Sequence, residues 1–258
     1  MSPRRESLKS SAEGGGNPDT PSHEASIATS AGGLLFQPVV SLRFPECDSI
    51  EVVRAEEGRD AGGIGPEWSD VEVDQVLGEF EGWRGRRLCE RLTVGLDPRA
   101  GRDGRLCESA RQKLDLHGIP AQGVQVQLPA NALSSNPELL RTVSSIRSSG
   151  VGLVIGNFQP GRTKLDLSDW HAHSVKVDSK ATQNFLKGER KTETLAMINE
   201  AHRLGLYVVA TGVKTEEQAR SLTRAQFDAA QGDGICPPLP AAELTSWLVS
   251  RQPPKPVF

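Results

Sequence analysis

Short apolar runs alternate along the chain with longer stretches whose apolar residues recur at helical spacing. "LLFQPVVSLR" (34–43) and "SIEVVRAE" (49–56) read as strands, and "FPECD" between them is short enough for an antiparallel hairpin. "DVEVDQVLGEFEGWRGRRLCERL" (70–92) carries the helical period. Five more strand-like runs follow: "LTVGLD" (92–97), "VQVQLP" (124–129), "VGLVIGNF" (151–158), "SVKVD" (174–178) and "YVVATG" (207–212). "FDAAQGDG" (227–234) reads as a last strand, with helices over 103–116, 136–149, 181–204, 214–225 and 241–249. Strands alternating with helices imply a parallel sheet. About eight strands, most followed by a helix, predict an α/β fold of the closed (β/α)8 TIM-barrel type over residues 34–250.

The flanks break this pattern. Residues 1–33 are rich in Ser, Gly, Pro and charge and bury too little surface to offset chain entropy, so they read as a disordered tail. The end of the chain, 251–258 ("RQPPKPVF"), reads as a second tail or a polyproline docking strip.

Composition narrows the function classes. The chain has 258 residues, 36% of them hydrophobic, and a formal net charge of -3, which points to neither a nucleic-acid backbone nor an anionic membrane. Cys47, Cys89, Cys107 and Cys236 form no CxxC pair, so they read as reduced thiols and not as a zinc site. No apolar run suggests a signal peptide or a membrane span, and the expected location is the cytoplasm.

In a barrel the strand ends share one mouth. The pattern places Gln37, Glu51, Arg54, Gly95, Asp97, Gln127, Gly156, Asn157, Lys176, Asp178, Thr211, Lys214, Gln231 and Asp233 there. Carboxylates are scarce in that set, and divalent metals prefer several anionic oxygens. The strand ending "YVVATGVK" stops at Thr211 and Lys214, neither of them a metal ligand or an unaided base at neutral pH.

The order of the motifs resembles the EAL domain, the family of cyclic di-GMP phosphodiesterases. "FQPVVSL" is similar to the family's opening Gln-Pro strand, "VGLDP" to Val-Asn-Leu-Ser-Pro, and "VQVQLPANAL" to Leu-Glu-Leu-Glu-Ile-Thr-Glu-Ser-Ala-Leu. "LVIGNFQPG" is similar to Leu-Ala-Leu-Asp-Asp-Phe-Gly-Thr-Gly, and "VKVD" to Leu-Lys-Ile-Asp. "GLYVVATGVKTEEQA" and "FDAAQGDGICPPLPAAEL" resemble the closing motifs, whose strand ends in Glu-Gly-Val-Glu and whose last turn is Gln-Gly. The resemblance implies a barrel whose first strand is antiparallel, and a reaction in which two Mg²⁺ or Mn²⁺ ions held by carboxylates open cyclic di-GMP to the linear dinucleotide.

The resemblance also exposes departures. Gly95 stands at the position of a metal-binding Asn, Gln127 at a Glu, Gly156 and Asn157 at the paired aspartates, and Thr211 and Lys214 at two glutamates. Pro129 and Ala130 replace the Thr and Glu of the Glu-Ile-Thr-Glu motif. The signature Glu is Glu51 when counted from Gln37, whereas aligning the motif's Arg to Arg54 puts Ile50 there. The stretch between this strand and "VGLDP" is shorter than in the family, as though a helix or long loop were missing.

These positions imply a catalytically inactive member with vestigial Glu51, Gly95, Gln127, Gly156, Asn157, Lys176, Asp178, Thr211 and Lys214, and no metal. Its expected role is regulatory, in bacterial cyclic di-GMP-related signalling, through a protein partner and with a homodimer left open. The alternative is a metal-independent cyclic di-GMP receptor using Gln37, Arg54, Lys176, Lys214 and Gln231; an active phosphodiesterase ranks last. Lys176 and Asp178, two apart on one strand, read either as a relic proton-handling pair or as a buried ion pair kept for packing. Arg162 and Lys164 would add to the positive cast of Lys176 and Lys214, or be solvated loop charges. His171 and His173 have a spacing two metal ligands could use, but lack further ligands nearby in sequence. "AGGIGPEW" (61–68) lacks a Walker lysine and reads as a loop.

Overall fold

The structure, a computed structural model, describes residues 33–44, 46–54, 69–98, 105–136 and 138–251. The expected N-terminal tail up to residue 32, the glycine-rich stretch 61–68 and residues 252–258 lie outside the described residues. Eight strands close into a barrel in chain order: β1 Leu34–Ser41, β2 Cys47–Arg54, β3 Leu92–Gly95, β4 Val124–Pro129, β5 Gly152–Phe158, β6 Ser174–Val177, β7 Tyr207–Ala210 and β8 Ala229–Ala230. β1 runs antiparallel to both neighbours, β2 and β8, and all other pairs are parallel. The hairpin read from the sequence is therefore present, with Gln37 opposite Glu51 in its register.

Among the described residues, eight α-helices surround the sheet: α1 Asp70–Gly85, α2 Arg105–Leu116, α3 Ala130–Ser135, α4 Leu139–Ser148, α5 Ser179–Leu186, α6 Lys191–Arg203, α7 Glu216–Arg224 and α8 Ala241–Arg251. Their ends follow local chemistry. Ser69 and Glu72 form a reciprocal capping box at the start of α1, and Thr215 Oγ1 accepts from Gln218 N at the start of α7. The long helix expected over 181–204 is instead two, because Gly188 (φ 88°) and Arg190 (φ 47°) turn left-handed between α5 and α6. The helix expected over 70–92 stops at Gly85, and α3 follows β4 directly from Pro129, where no separate helix was read.

Strand alternation sends successive side chains to opposite faces of a sheet. Outside the barrel, Phe36, Ile50, Leu92, Leu128, Leu153, Ile155 and Val208 form one apolar layer with helix residues such as Phe80, Trp83 and Ile198. The Phe36 and Trp83 rings meet edge to face with centroids 5.1 Å apart, and Trp83 Nε1 donates to Thr245 Oγ1 at 2.7 Å, joining α1 to α8. Inside, Val39, Val209 and Ala229 form a small separate apolar plug, with Tyr207 against it. Above the plug, Thr93 Oγ1 donates to Gln125 Oε1 at 3.2 Å, both residues being buried.

Candidate functional site at the barrel mouth

β1, β2, β6 and the turn after β8 bring Gln37, Glu51, Lys176 and Gln231 together inside the barrel. Lys176 Nζ donates to Glu51 Oε2 at 3.0 Å and to Gln231 Oε1 at 3.2 Å. Gln231 Nε2 lies 2.5 Å from the same Glu51 oxygen and 3.1 Å from Gln37 Oε1, and Gln37 Nε2 donates to Cys236 O at 3.0 Å. The Lys176 side chain is 4% exposed and that of Glu51 15%. An ammonium buried to that degree is tolerable because a carboxylate and an amide oxygen replace its water.

Of the two residues considered for the signature Glu, only Glu51 reaches the lumen. Glu51 faces Gln37 and points into the lumen, whereas Ile50 is fully buried in the outer apolar layer. Arg54, three residues on, therefore falls on the outer face. Its guanidinium sits 2.6 Å from Glu72 Oε1 on α1 and does not join Gln37 and Gln231, contrary to its expected place in a ligand site. The expected pairing of Lys176 with Asp178 is corrected in the same way. β6 ends at Val177, and Asp178 caps α5, its Oδ1 accepting from Lys180 N at 3.0 Å and Ala181 N at 3.2 Å.

The remaining expected positions divide by location. Gln127 lies opposite Gly95 in the β3–β4 register, and its side chain crosses in front of Gly156: a Cβ added to Gly156 would lie 2.9 Å from Gln127 Cδ. Gln127 Oε1 is buried and has no hydrogen-bond partner among the described residues. Asn157 is exposed with φ 53°. Thr211 Oγ1 donates to Val177 O at 2.8 Å, tying β7 to β6, while exposed Lys214 donates its backbone N–H to Gln218 Oε1 at 2.8 Å. Arg162 and Asp178 line a separate rim cavity with Gln159, Lys180, Asn184 and Arg190, and Lys164 is exposed. Of the five cations named from the sequence, Arg54, Arg162, Lys164, Lys176 and Lys214, Lys176 is the one whose hydrogen bonds place it in the lumen network among the described residues. Among the described residues, no three His, Cys, Asp or Glu side chains gather closely enough to hold a metal, His171 and His173 included.

Two glycines are required where loops meet over the mouth. Gly212 has φ 71°, and a Cβ there would lie 2.0 Å from Ser179 Oγ; a Cβ on Gly234 would lie 2.0 Å from the Lys214 carbonyl carbon.

A family profile described as the EAL domain matches residues 24–238. The chain belongs to the EAL domain family. The EAL domain of Mycobacterium smegmatis DcpA superposes with a TM-score of 0.72 at 21% identity, covering 86% of this chain and 99% of that one. The PaMucR phosphodiesterase, solved as a c-di-GMP complex, superposes at 0.67 with 20% identity, covering 82% and 93%. In sequence, the chain is 28% identical over 233 residues to the cyclic di-GMP phosphodiesterase NbdA of Pseudomonas aeruginosa, covering 83% of this chain but 30% of NbdA. The EAL chain thus spans less than a third of the length of that relative, as it does of two others, at 31% and 28%. No helix among the described residues is long and apolar enough to cross a membrane.

Sequence reasoning missed the Glu51–Lys176 ion pair. The signal was available: an antiparallel hairpin that points Gln37 inward points its partner Glu51 inward too.

Proposed function

We propose that this EAL domain does not hydrolyse cyclic di-GMP and serves bacterial signalling as a regulatory module, with a protein partner as its output. The observation that carries the first half is the scarcity of anionic donors: among the described residues no three His, Cys, Asp or Glu side chains gather to hold a metal, and Glu51 Oε2 lies 3.0 Å from the Lys176 ammonium. A carboxylate oxygen held by an ammonium and an amide N–H is already neutralised, and a dication would have to displace both. The other positions offer little to help it. Gly95 and Gly156 have no side-chain donors, Gln127, Asn157 and Thr211 are neutral, and Lys214 is a cation. Asp178 is engaged at the head of α5. Two Mg²⁺ or Mn²⁺ ions need several anionic oxygens between them, so this donor set fits the family's metal pair poorly.

A second reading, a metal-independent cyclic di-GMP receptor, is favoured by the amides of Gln37 and Gln231 beside Lys176, and by relatives solved with c-di-GMP bound. Such a ligand would have to open the Gln37–Gln231 contact to reach them. Calorimetric titration of the full chain with cyclic di-GMP, with and without Mg²⁺, separates the readings. No heat from a folded sample favours the protein-partner role. Micromolar binding that ignores Mg²⁺ makes the domain a receptor. Binding that requires Mg²⁺ and ends in the linear dinucleotide overturns the proposal.

A further inference from the structure

At the end of the barrel opposite the mouth, β2 and β3 share a short seam of two register pairs, Ile50 with Leu92 and Glu51 with Thr93. Ile50 N donates to Arg91 O at 3.0 Å, and the Arg91 guanidinium is paired with the Asp48 carboxylate across the same seam. Cys47 and Cys89 flank it. Their sulfurs are 3.4 Å apart, and both residues are free thiols. Each thiol also has a backbone carbonyl two residues on, Ser49 O at 3.4 Å for Cys47 and Arg91 O at 3.3 Å for Cys89, which holds the two sulfurs toward each other.

We propose that Cys47 and Cys89 are an oxidative modification site, a dithiol that a hydroperoxide converts to an intramolecular disulfide across the β2–β3 seam. The sulfurs are already in contact, so the bond needs only side-chain rotation and a small approach. Cys47 is the less buried of the two residues, Cys89 being 3% exposed, so we assign Cys47 as the thiol oxidised first and Cys89 as the resolving thiol. The Cys47 thiolate attacks one peroxide oxygen, the O–O bond breaks, and the sulfenic acid forms as hydroxide leaves. The Cys89 thiolate then attacks the Cys47 sulfur and expels its hydroxyl as a second hydroxide. The two thiol protons convert these to two waters, and the two electrons lost by the sulfurs reduce the peroxide.

The surroundings set the rate and the selectivity. The hydrogen bond with Cys89, and then burial, push the Cys47 thiol well above its ordinary value, so oxidation is slow at neutral pH and accelerates as pH rises. Burial pushes the Cys236 thiol up to about 12, and its carbonyl lies at the mouth against Gln37, so it does not compete. The disulfide would fix the base of β2, the strand that carries Glu51 to the lumen.

The test uses the full chain, treated with hydrogen peroxide at mildly alkaline pH, then unfolded, alkylated and mapped by peptide mass spectrometry. The expected result is a fall from four alkylatable thiols to two, with a linked peptide joining Cys47 to Cys89 that is lighter by two hydrogens and is released by dithiothreitol. The oxidised chain should melt roughly 5 °C higher than the reduced one, since the bond closes a loop in the unfolded state. In Cys89→Ser protein the melting temperature should no longer rise with peroxide. Four thiols after treatment, links that involve other cysteines, or Cys47 over-oxidised beside a free Cys89 would each overturn the proposal.

Discussion

On the outer face of the barrel sheet, Phe36, Ile50, Leu92, Leu128, Leu153 and Ile155 pack against α1, α4 and their neighbours in one apolar layer, with the Arg54–Glu72 ion pair at its edge. On the inner face of the same strands stand Gln37, Glu51, Thr93, Gln125, Gln127, Lys176 and Gln231. The outer layer supplies the burial that keeps the barrel closed. In the inner layer Gln37, Glu51, Lys176 and Gln231 satisfy one another, as do Thr93 and Gln125, while Gln127 Oε1 is left unpaired among the described residues. A substitution inside therefore alters the chemistry on offer while leaving the fold's main apolar layer intact, in keeping with a chain that superposes on another EAL domain at a TM-score of 0.72 with only 21% identity.

The largest effect should come from the outer layer. Phe80 is fully buried there, and Phe80→Ala should cost about 4 kcal/mol in denaturant unfolding. An effect below about 1 kcal/mol would break the comparison. Next comes the buried ion pair. Lys176→Met leaves Glu51 without its cation in a lumen where it is 15% exposed, and should cost about 3 kcal/mol. Adding Glu51→Leu should recover most of that loss, because removing both charges removes the desolvation penalty with them. If the double variant is as unstable as the single, the lumen is not the replaceable layer described here.

Smaller still is Gly156→Ala, whose methyl would meet the end of the Gln127 side chain at 2.9 Å. It should cost about 1 kcal/mol, and Gln127→Ala in the same chain should relieve it, as read by a double-mutant cycle. Smallest is a pH effect at the seam. The folded Cys47 thiol titrates above the ordinary 9.0, so its contribution to stability is complete below pH 9. Above that the unfolded chain loses the proton first, and stability falls as pH climbs toward the folded value. Unfolding midpoints measured upward from pH 8 should decline in the wild type more than in Cys47→Ser protein.

The fold was largely legible in the sequence, because alternation and helical spacing report burial directly. Seven of the eight strands lie within runs such as "VQVQLP" and "YVVATG", and β2 starts two residues before its run, at Cys47. What was not legible arose from tertiary placement. The break between α5 and α6 depends on a left-handed turn at Gly188 that a continuous helical pattern conceals. β8 is only Ala229–Ala230, since the chain beyond turns at Gly232 to meet the loop after β7. The candidate site was half legible. The motifs named Gln37, Lys176 and Gln231, but local spacing suggested Asp178 as the partner of Lys176. The actual partner, Glu51, is 125 residues away in sequence. Arg54 was misplaced for a related reason, because a one-residue change in strand register moves a side chain to the other face.

We propose that the lumen, where Lys176 is bonded to Glu51 and Gln231, carries no working metal pair. Incubating the full chain with cyclic di-GMP and excess Mg²⁺ or Mn²⁺, and resolving the nucleotides by chromatography over time, tests it most directly. The account predicts that cyclic di-GMP stays intact with either metal. Steady, metal-dependent formation of the linear dinucleotide that disappears in Glu51→Gln protein would contradict it.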